Sequence, residues 1–189
     1  DELMVRQQLG HAIDEIGAAA ASAVARKMPL QQLRGLLSGT LRPLLLKYSA
    51  SHGPLLRFRT TRTRDPHCGC LQIAQLIAWD GGGRELRLVD ARNPNGHNPP
   101  NEEPAKALDG NARTKWLDGR KGALECRLEA GPAVVARYAI ATANDCPERD
   151  PVRWVLEGRQ TEAAPWRVID DRSGADQPTP GARFTRHEL

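Results

Sequence analysis

Residues 107–116 place several oxygen-bearing side chains within one short stretch. Its sequence is Ala-Leu-Asp-Gly-Asn-Ala-Arg-Thr-Lys-Trp, so Asp109, Asn111 and Thr114 follow an apolar pair and precede Trp116. Calcium binds six to eight oxygens from side chains, carbonyls and water, which a loop of this composition can supply. The same residues are also typical of an Asp-Gly turn between strands, with Trp116 as a core anchor. The stretch therefore predicts either a calcium loop or a tight turn.

This stretch resembles the signature near the start of discoidin domains, the C-type domains of coagulation factors five and eight. These domains belong to the galactose-binding-like β-sandwich family. Further segments resemble the same family in the same order, and they are residues 60–64, 71–76, 138–145 and 149–158, followed by Trp166. The resemblance covers about residues 57–189 and implies a mainly β fold, an antiparallel jelly-roll β-sandwich.

The resemblance also implies a set of cation ligands. Calcium would be held by Asp109, by Thr114 and by backbone carbonyls around Lys106 and Asn111. Discoidin domains commonly have a glutamate that reaches the cation at the position that Gln75 occupies here. Gln75 keeps an oxygen ligand but removes one negative charge, so we expect weak calcium binding.

Two loops carry the candidate ligand-binding residues. The Pro-, Asn- and Gly-rich loop 92–104 contains His97 and Asn98, and the loop 143–151 contains Asn144, Arg149 and Asp150. Sandwiches that resemble this one tend to bind ligands through loops at one end. A sugar site also needs an aromatic ring, which neither loop contains, and all four Trp fall at strand positions where we expect the core to bury them. Contact with a protein is therefore favoured over a conventional galactose-type site.

No arrangement typical of catalysis stands out in the sequence. A nucleophile with its base, a catalytic carboxylate pair or an open metal site would be needed. Asp145, Glu148 and Asp150 share one loop, but we expect them to cap it and to pair with Arg149 and Arg153. We therefore expect no enzymatic activity.

Two amphipathic helices are predicted ahead of the sandwich. Apolar residues recur every three or four positions up to Val24, and a leucine stripe starts at Leu30, directly after Pro29. The second helix should bend or end near Pro43, which lacks a backbone N–H. We divide the chain into a helical extension, 1–54, and a discoidin-like sandwich, 55–189. The extension could pack on the sandwich or dock on another protein.

From Leu55 the apolar period changes from about 3.6 to 2, which indicates strands. We predict eight, near residues 55–61, 71–79, 85–89, 123–128, 133–142, 152–158, 166–169 and 182–185. Within 71–79, alternation puts Gln75 on the same face as Leu71, Ile73, Ile77 and Trp79. A polar side chain on such a face needs a partner.

The charge and cysteine content exclude some classes of function. The net charge of +4 includes a local arginine cluster, Arg57, Arg59, Arg62 and Arg64, that is typical of a solvated strand face or of contact with an acidic partner. Nucleic-acid binding is not indicated, because no concentrated basic surface is evident. No apolar run approaches eighteen residues, so no transmembrane segment is expected. The four cysteines, Cys68, Cys70, Cys126 and Cys146, are compatible with a bridge from Cys68 or Cys70 to Cys146 or with free thiols.

These observations together predict a non-catalytic interaction module. We expect an accessory or structural subunit that contacts other protein subunits through its helices and sandwich loops. The alternative is a module that binds a carbohydrate or a lipid head group. The sequence is compatible with an organellar complex and with secretion.

Overall fold

Eleven β-strands and two short 3-10 helices build residues 52–189, which are the part of the chain that this computed structural model describes. The strands are β1 Leu55–Thr63, β2 Leu71–Ile73, β3 Gln75–Trp79, β4 Glu85–Leu86, β5 Leu88–Arg92, β6 Trp116–Asp118, β7 Ala123–Leu128, β8 Arg137–Ala141, β9 Pro151–Arg159, β10 Arg167–Asp171 and β11 Arg186–Glu188. The 3-10 helices are Pro104–Ala107 and Pro147–Arg149. The predicted N-terminal helices lie outside the described residues.

The strands form antiparallel sheets. One sheet has five strands in the order β10-β9-β1-β7-β5, a second has four in the order β11-β8-β3-β4, and β2 pairs with β6. Both larger sheets contribute to one apolar core, which is consistent with a β-sandwich. The predicted mainly β, antiparallel character is confirmed. No helix within residues 52–189 is long and apolar enough to cross a membrane.

The core follows the period-2 pattern of the strands. Leu56 and Phe58 of β1 are buried, whereas Arg57 and Arg59 between and beside them are not. β7 alternates in the same way. The central residues of the core are Leu56, Phe58, Leu71, Ile73, Leu76, Trp116, Leu124, Leu128, Tyr138, Ile140, Trp154 and Leu156.

The prediction of a single alternating strand over residues 71–79 is wrong. The chain bends at Ala74, so that β2 belongs to one sheet and β3 to another. Leu71 and Ile73 reach the main core, but so do Leu76 and Ala78 after the bend. Gln75, Ile77 and Trp79 consequently face the other side of the four-stranded sheet, where Ile77 and Trp79 form a small second cluster with Ala139. A one-residue change of phase at Ala74 moves every later side chain to the opposite face.

Other strand boundaries also differ from the prediction. The predicted strand 85–89 divides into β4 and β5, which pair in different sheets, so the chain crosses between sheets near Arg87. β6 at Trp116–Asp118 was not predicted. The last strand is Arg186–Glu188, beyond the predicted 182–185.

The arginine cluster lies along β1 and pairs with carboxylates of this same chain. Arg57 and Arg59 approach Glu157 at 2.7 and 3.6 Å. Arg62 lies 3.8 Å from Asp176, and Arg64 pairs with the buried Asp150. Glu157 serves two of these arginines, Asp176 also pairs with Arg153, and Asp150 also pairs with Arg183, so the cluster keeps a net positive charge.

Candidate functional site

The loop 106–114 brings four predicted calcium ligands together. The Thr114 hydroxyl oxygen lies 2.9 and 2.8 Å from the two Asp109 carboxylate oxygens, 2.8 Å from the Asn111 carbonyl oxygen and 3.5 Å from the Lys106 carbonyl oxygen. The Asn111 N–H donates to Asp109 Oδ1 at 2.9 Å, and Gly110 takes a positive φ of 74°. The tight Asp-Gly turn and the cluster of oxygens are therefore both present.

The protons in this loop are too few for its acceptors. The Thr114 hydroxyl has one proton, which it can donate to one of the nearby oxygens. The remaining oxygens lie around the Thr114 hydroxyl, and a hard cation can stabilise a group of oxygens of this kind. One carboxylate, one hydroxyl and two carbonyls are ligands that suit calcium, although this set supplies a single negative charge. Within residues 52–189 no three His, Cys, Asp or Glu side chains cluster as metal ligands.

Trp116 fixes the end of this loop. Its side chain is fully buried in the main core, as predicted, and β6 pairs with β2 from Ile73↔Trp116 to Leu71↔Asp118. Its indole Nε1–H is buried and has no hydrogen-bond partner in the described part of the chain. Trp116 therefore anchors the loop by packing alone.

Asp118 holds the loop 92–104 in place. Its fully buried carboxylate accepts hydrogen bonds from the backbone N–H of His97 at 2.7 Å, of Arg120 at 3.1 Å and, at short distance, of Gly122. The Asn93 side-chain amide donates to the same carboxylate at 3.4 Å. The backbone at His97 is consequently fixed, whereas its side chain is exposed.

The Asn98 side chain is tied to the neighbouring strand. Its side-chain amide donates to the Leu117 carbonyl at 2.7 Å, and the residue is half-buried. This hydrogen bond ties the loop to β6. Of the two residues predicted in this loop, His97 is therefore the one that presents its side chain to solvent.

Lys115 connects the two predicted recognition loops. Its ammonium group is almost fully buried and lies 2.6 Å from Asp145 Oδ1 and 3.5 Å from Glu102 Oε1. Burial raises the pKa of Asp145, but the hydrogen bond and charge of Lys115 lower it, and the decrease prevails. The loops 92–104 and 143–151 therefore lie together, as expected. Lys115 was not predicted as a site residue, although it directly precedes the core tryptophan.

Asp150 is committed to an internal ion pair. It is fully buried, and its oxygens accept from Arg183, at 3.0 Å for Nη1 to Oδ1, and from Arg64 at 3.4 Å. The expected pairing with Arg153 is wrong, because Arg153 pairs with Asp176. Asn144 is exposed and Arg149 is half-buried, so these two of the three predicted residues reach the surface.

Three free thiols surround Arg149. Cys68, Cys70 and Cys146 are half-buried and unbonded. Burial lowers the pKa of the Arg149 guanidinium, whereas negative charge on Cys146, Cys70 and Cys68, when they are deprotonated, and on Asp145 raises it, and the increase prevails. The complete burial of Cys126 raises the pKa of its thiol to about 12, and burial also raises the pKa of the Cys146 thiol.

Trp166 is not in the core, which corrects the expectation for all four tryptophans. It is half-buried directly before β10, and the guanidinium carbons of Arg57 and Arg159 lie 4.5 and 4.1 Å from its ring centroid. These are cation–π contacts, so part of the ring surface is covered by arginine.

A cleft of about 490 Å³ lies beside the oxygen-rich loop. We call it the edge cleft; it is lined by residues 75–77, 85–91, 105, 107, 108, 110 and 186. Gln75 borders it together with Gly110 of the 106–114 loop. No contact joins the Gln75 side chain to the oxygens of Lys106, Asp109, Asn111 and Thr114 within the described residues, and these four residues do not line the cleft.

No protein-family model matches this chain. No solved structure gives a significant match either. An Arabidopsis thaliana protein named peptide-N(4)-(N-acetyl-beta-glucosaminyl)asparagine amidase is 33% identical over 82 residues. The match covers 41% of this chain and 11% of that protein. The chain is thus similar to a small part of a much longer protein.

Proposed function

We propose that residues 52–189 form a non-catalytic, discoidin-type binding module of the galactose-binding-like family, with jelly-roll connectivity. It would serve as an accessory unit in a larger protein assembly. The observation that carries this proposal is the fixed loop surface, where Lys115 and Asp118 hold two loops and leave His97 and Asn144 exposed. The match to 11% of a longer protein supports it, because a module recurs as a fraction of larger chains.

The loop surface is tested with the double variant His97→Ala, Arg149→Ala. Both side chains lie outside the core, so the midpoint of thermal unfolding should change little. Association with protein partners, followed by native mass spectrometry of the protein purified from its source, should weaken. Arg167→Ala is the matched control, because it removes an exposed arginine from β10, away from these loops. Equal association by the double variant and the control would refute protein binding through this surface.

A structural calcium ion belongs to the same proposal. The oxygens of Lys106, Asp109, Asn111 and Thr114 would hold it, with Gln75 approaching from the edge cleft. A single carboxylate predicts a dissociation constant of about 10⁻⁴–10⁻³ M, as in extracellular modules. Calcium at ten times that constant should stabilise the protein by about 1.4 kcal/mol.

Thermal unfolding with calcium and with a chelator measures this effect. Asp109→Asn removes the charge while keeping the side-chain size, so the calcium-dependent shift should disappear. Asp90→Asn is the matched control, because it changes an exposed carboxylate of β5. An unchanged midpoint of the parent at millimolar calcium would show that hydrogen bonds alone hold the loop.

Carbohydrate binding is the second candidate. It is favoured by the name of the Arabidopsis relative, which refers to N-acetylglucosaminyl asparagine, and by Trp166, which places a ring outside the core. A glycan array and a lipid overlay test it directly. Loss of an array signal in the His97→Ala, Arg149→Ala variant would favour the lectin-like function over protein contact.

The non-catalytic part of the proposal has its own test. The relative's name describes an amidase, so the full chain is incubated with a glycopeptide that carries N-acetylglucosaminyl asparagine. Mass spectrometry should show the glycopeptide intact. Conversion of its asparagine to aspartate with release of the glycan would show that the chain is an enzyme.

A further inference from the structure

Two segments that carry thiols lie side by side. The segment 64–70, between β1 and β2, contains Cys68 and Cys70, and the loop 143–151 contains Cys146. Two backbone hydrogen bonds, of 2.9 and 3.0 Å, join the first segment to the second. The fold therefore brings thiols that are remote in sequence into one region.

Gln72 fixes the loop 143–151 against β2. Its side chain is fully buried, and its amide group donates to the Asp145 carbonyl at 2.6 Å and to the Cys146 carbonyl at 3.1 Å. Side chains two positions apart along an extended chain point the same way, and Cys70 lies two positions before Gln72. Cys70 is therefore directed towards the backbone of Cys146. Cys68 belongs to the preceding turn, so this argument does not extend to it.

Arg149 adds a positive charge without a partner. Negative charge on Cys146, Cys70 and Cys68, when they are deprotonated, acts on its guanidinium, so all three sulfurs lie near it. The guanidinium is half-buried and makes no hydrogen bond or ion pair in the part of the chain that the structure describes. Because a guanidinium binds carboxylates well, Arg149 can hold an anionic reagent beside the thiols.

The thiols also differ in accessibility and in reactivity. Cys68, Cys70 and Cys146 are half-buried, so a small reagent can reach them. Burial raises the pKa of the Cys146 thiol, and the charges of Asp145 and Glu148 raise it further, against the opposing charge of Arg149. Cys146 is therefore protonated at neutral pH and suits the second step of an exchange. Its hydrogen bond to Glu148 provides an acceptor for its proton.

We propose that Cys70 and Cys146 form a reversible disulfide by exchange with a small carboxylated disulfide of the glutathione type, which Arg149 holds through a carboxylate. The exchange does not require the binding function proposed above. Accessible disulfides are more readily reduced than buried structural ones, so the bridge would open again when thiols are in excess.

The exchange has two steps. The Cys70 thiol gives its proton to solvent and attacks one sulfur of the reagent, whose S–S bond breaks and whose other half leaves as a thiolate. Cys146 then attacks the Cys70 sulfur of this mixed disulfide, its proton passes to Glu148, and the second half leaves as a thiolate. The two protein thiols lose two electrons, and the reagent takes them up to become two thiols.

Peptide mass mapping without reduction tests the pairing after the reduced full chain is incubated with glutathione disulfide. We expect one peptide pair linked through Cys70 and Cys146, which dithiothreitol separates. Cys146→Ser should stop the exchange at a mixed disulfide on Cys70, and Cys70→Ser should form no bridge. Cys68→Ser is the matched control and should form the bridge at the parent's rate. The fully buried Cys126 should stay unmodified, which shows that the folded protein reacted.

The role of Arg149 is tested by changing the charge of the reagent. Arg149→Ala should slow the exchange with glutathione disulfide by about fivefold, the effect of losing one partly exposed ion pair. The rate with hydroxyethyl disulfide, which has no charge, should not change. Arg167→Ala is the control, because it removes an exposed arginine of β10. Thermal melts of the reduced variants show that each of them is folded.

Thermal unfolding gives an independent measurement. The bridge would close a long loop, so the oxidised parent should unfold about 5 °C or more above the reduced parent. Cys146→Ser should show no such shift.

Three results would overturn the proposal. They are a bridge from Cys68 to Cys70 or to Cys146 in the parent, glutathione addition without any bridge in the parent, and equal slowing of both reagents by Arg149→Ala. The last result would show that Arg149 holds the loop rather than the reagent.

Discussion

Two fully buried tryptophans offer a matched test of how the core holds the oxygen-rich loop. Trp154 Nε1–H donates to the Tyr138 hydroxyl at 2.7 Å, whereas Trp116 Nε1–H has no partner within residues 52–189. Replacing either residue with Phe removes similar apolar surface. Trp116→Phe also removes an unsatisfied donor, which costs about 1–3 kcal/mol in the parent, whereas Trp154→Phe loses a hydrogen bond that contributes about 0.5–1.5 kcal/mol.

Trp154→Phe should therefore be more destabilising than Trp116→Phe by about 1.5–4.5 kcal/mol. Urea unfolding followed by circular dichroism measures both free energies of unfolding. Equal denaturant slopes would show that the unfolded states are comparable. A Trp116→Phe variant that is as destabilised as Trp154→Phe would refute the reasoning, because the indole N–H of Trp116 would then have a partner. Trp116→Ala serves as a reference and should cost about 3–5 kcal/mol.

Three further outcomes are expected. Gln75→Glu introduces a carboxylate beside the proposed calcium loop, so calcium should bind more tightly by isothermal titration calorimetry; unchanged affinity would place Gln75 outside the proposed cation site. Cys126, with its pKa raised to about 12 by burial, should resist iodoacetamide in the folded protein at pH 8 while the half-buried Cys68 and Cys70 react, as peptide mass mapping would show. Burial lowers the pKa of His187 below its usual 6.5, and the charge of Arg172 lowers it further. As the pH drops, the unfolded state therefore binds a proton before the folded state does. The free energy of unfolding should consequently decrease as the pH drops through 6.5. That decline should be smaller in His187→Gln, and an identical pH profile would contradict it.

The sequence was informative where a local pattern determines the structure. Alternation along Leu56–Arg59 predicted the strand and its buried face, because a period of two is enough to specify both. Asp109, Asn111 and Thr114 predicted a tight oxygen-rich turn, and the turn forms through contacts within eight residues. The burial of Trp116 was also predictable, because it follows this turn directly.

Features that depend on distant contacts were not predictable. Ala74 looks like any small strand residue, yet its N–H bonds the Ala141 carbonyl at 2.8 Å and the strand changes sheets there. Asp150 was expected at the surface, but Arg64 and Arg183, from opposite ends of the described chain, converge on it. Trp166 was expected in the core because it falls at a predicted strand position, but its ring lies against Arg159 and against Arg57, which is remote in sequence. Their meeting is a property of the completed sheet.

The four hydrogen bonds that Asp118 accepts should affect the entropy and the rate of binding at the surface formed by the loops 92–104 and 143–151. A loop as long as 92–104 usually samples many conformations and loses that freedom when a partner binds. Here the backbone at His97 is already restrained by a buried carboxylate. Association should therefore proceed with a small conformational entropy loss and without a slow rearrangement step, so the affinity of this surface would be set by the dissociation rate of its partner.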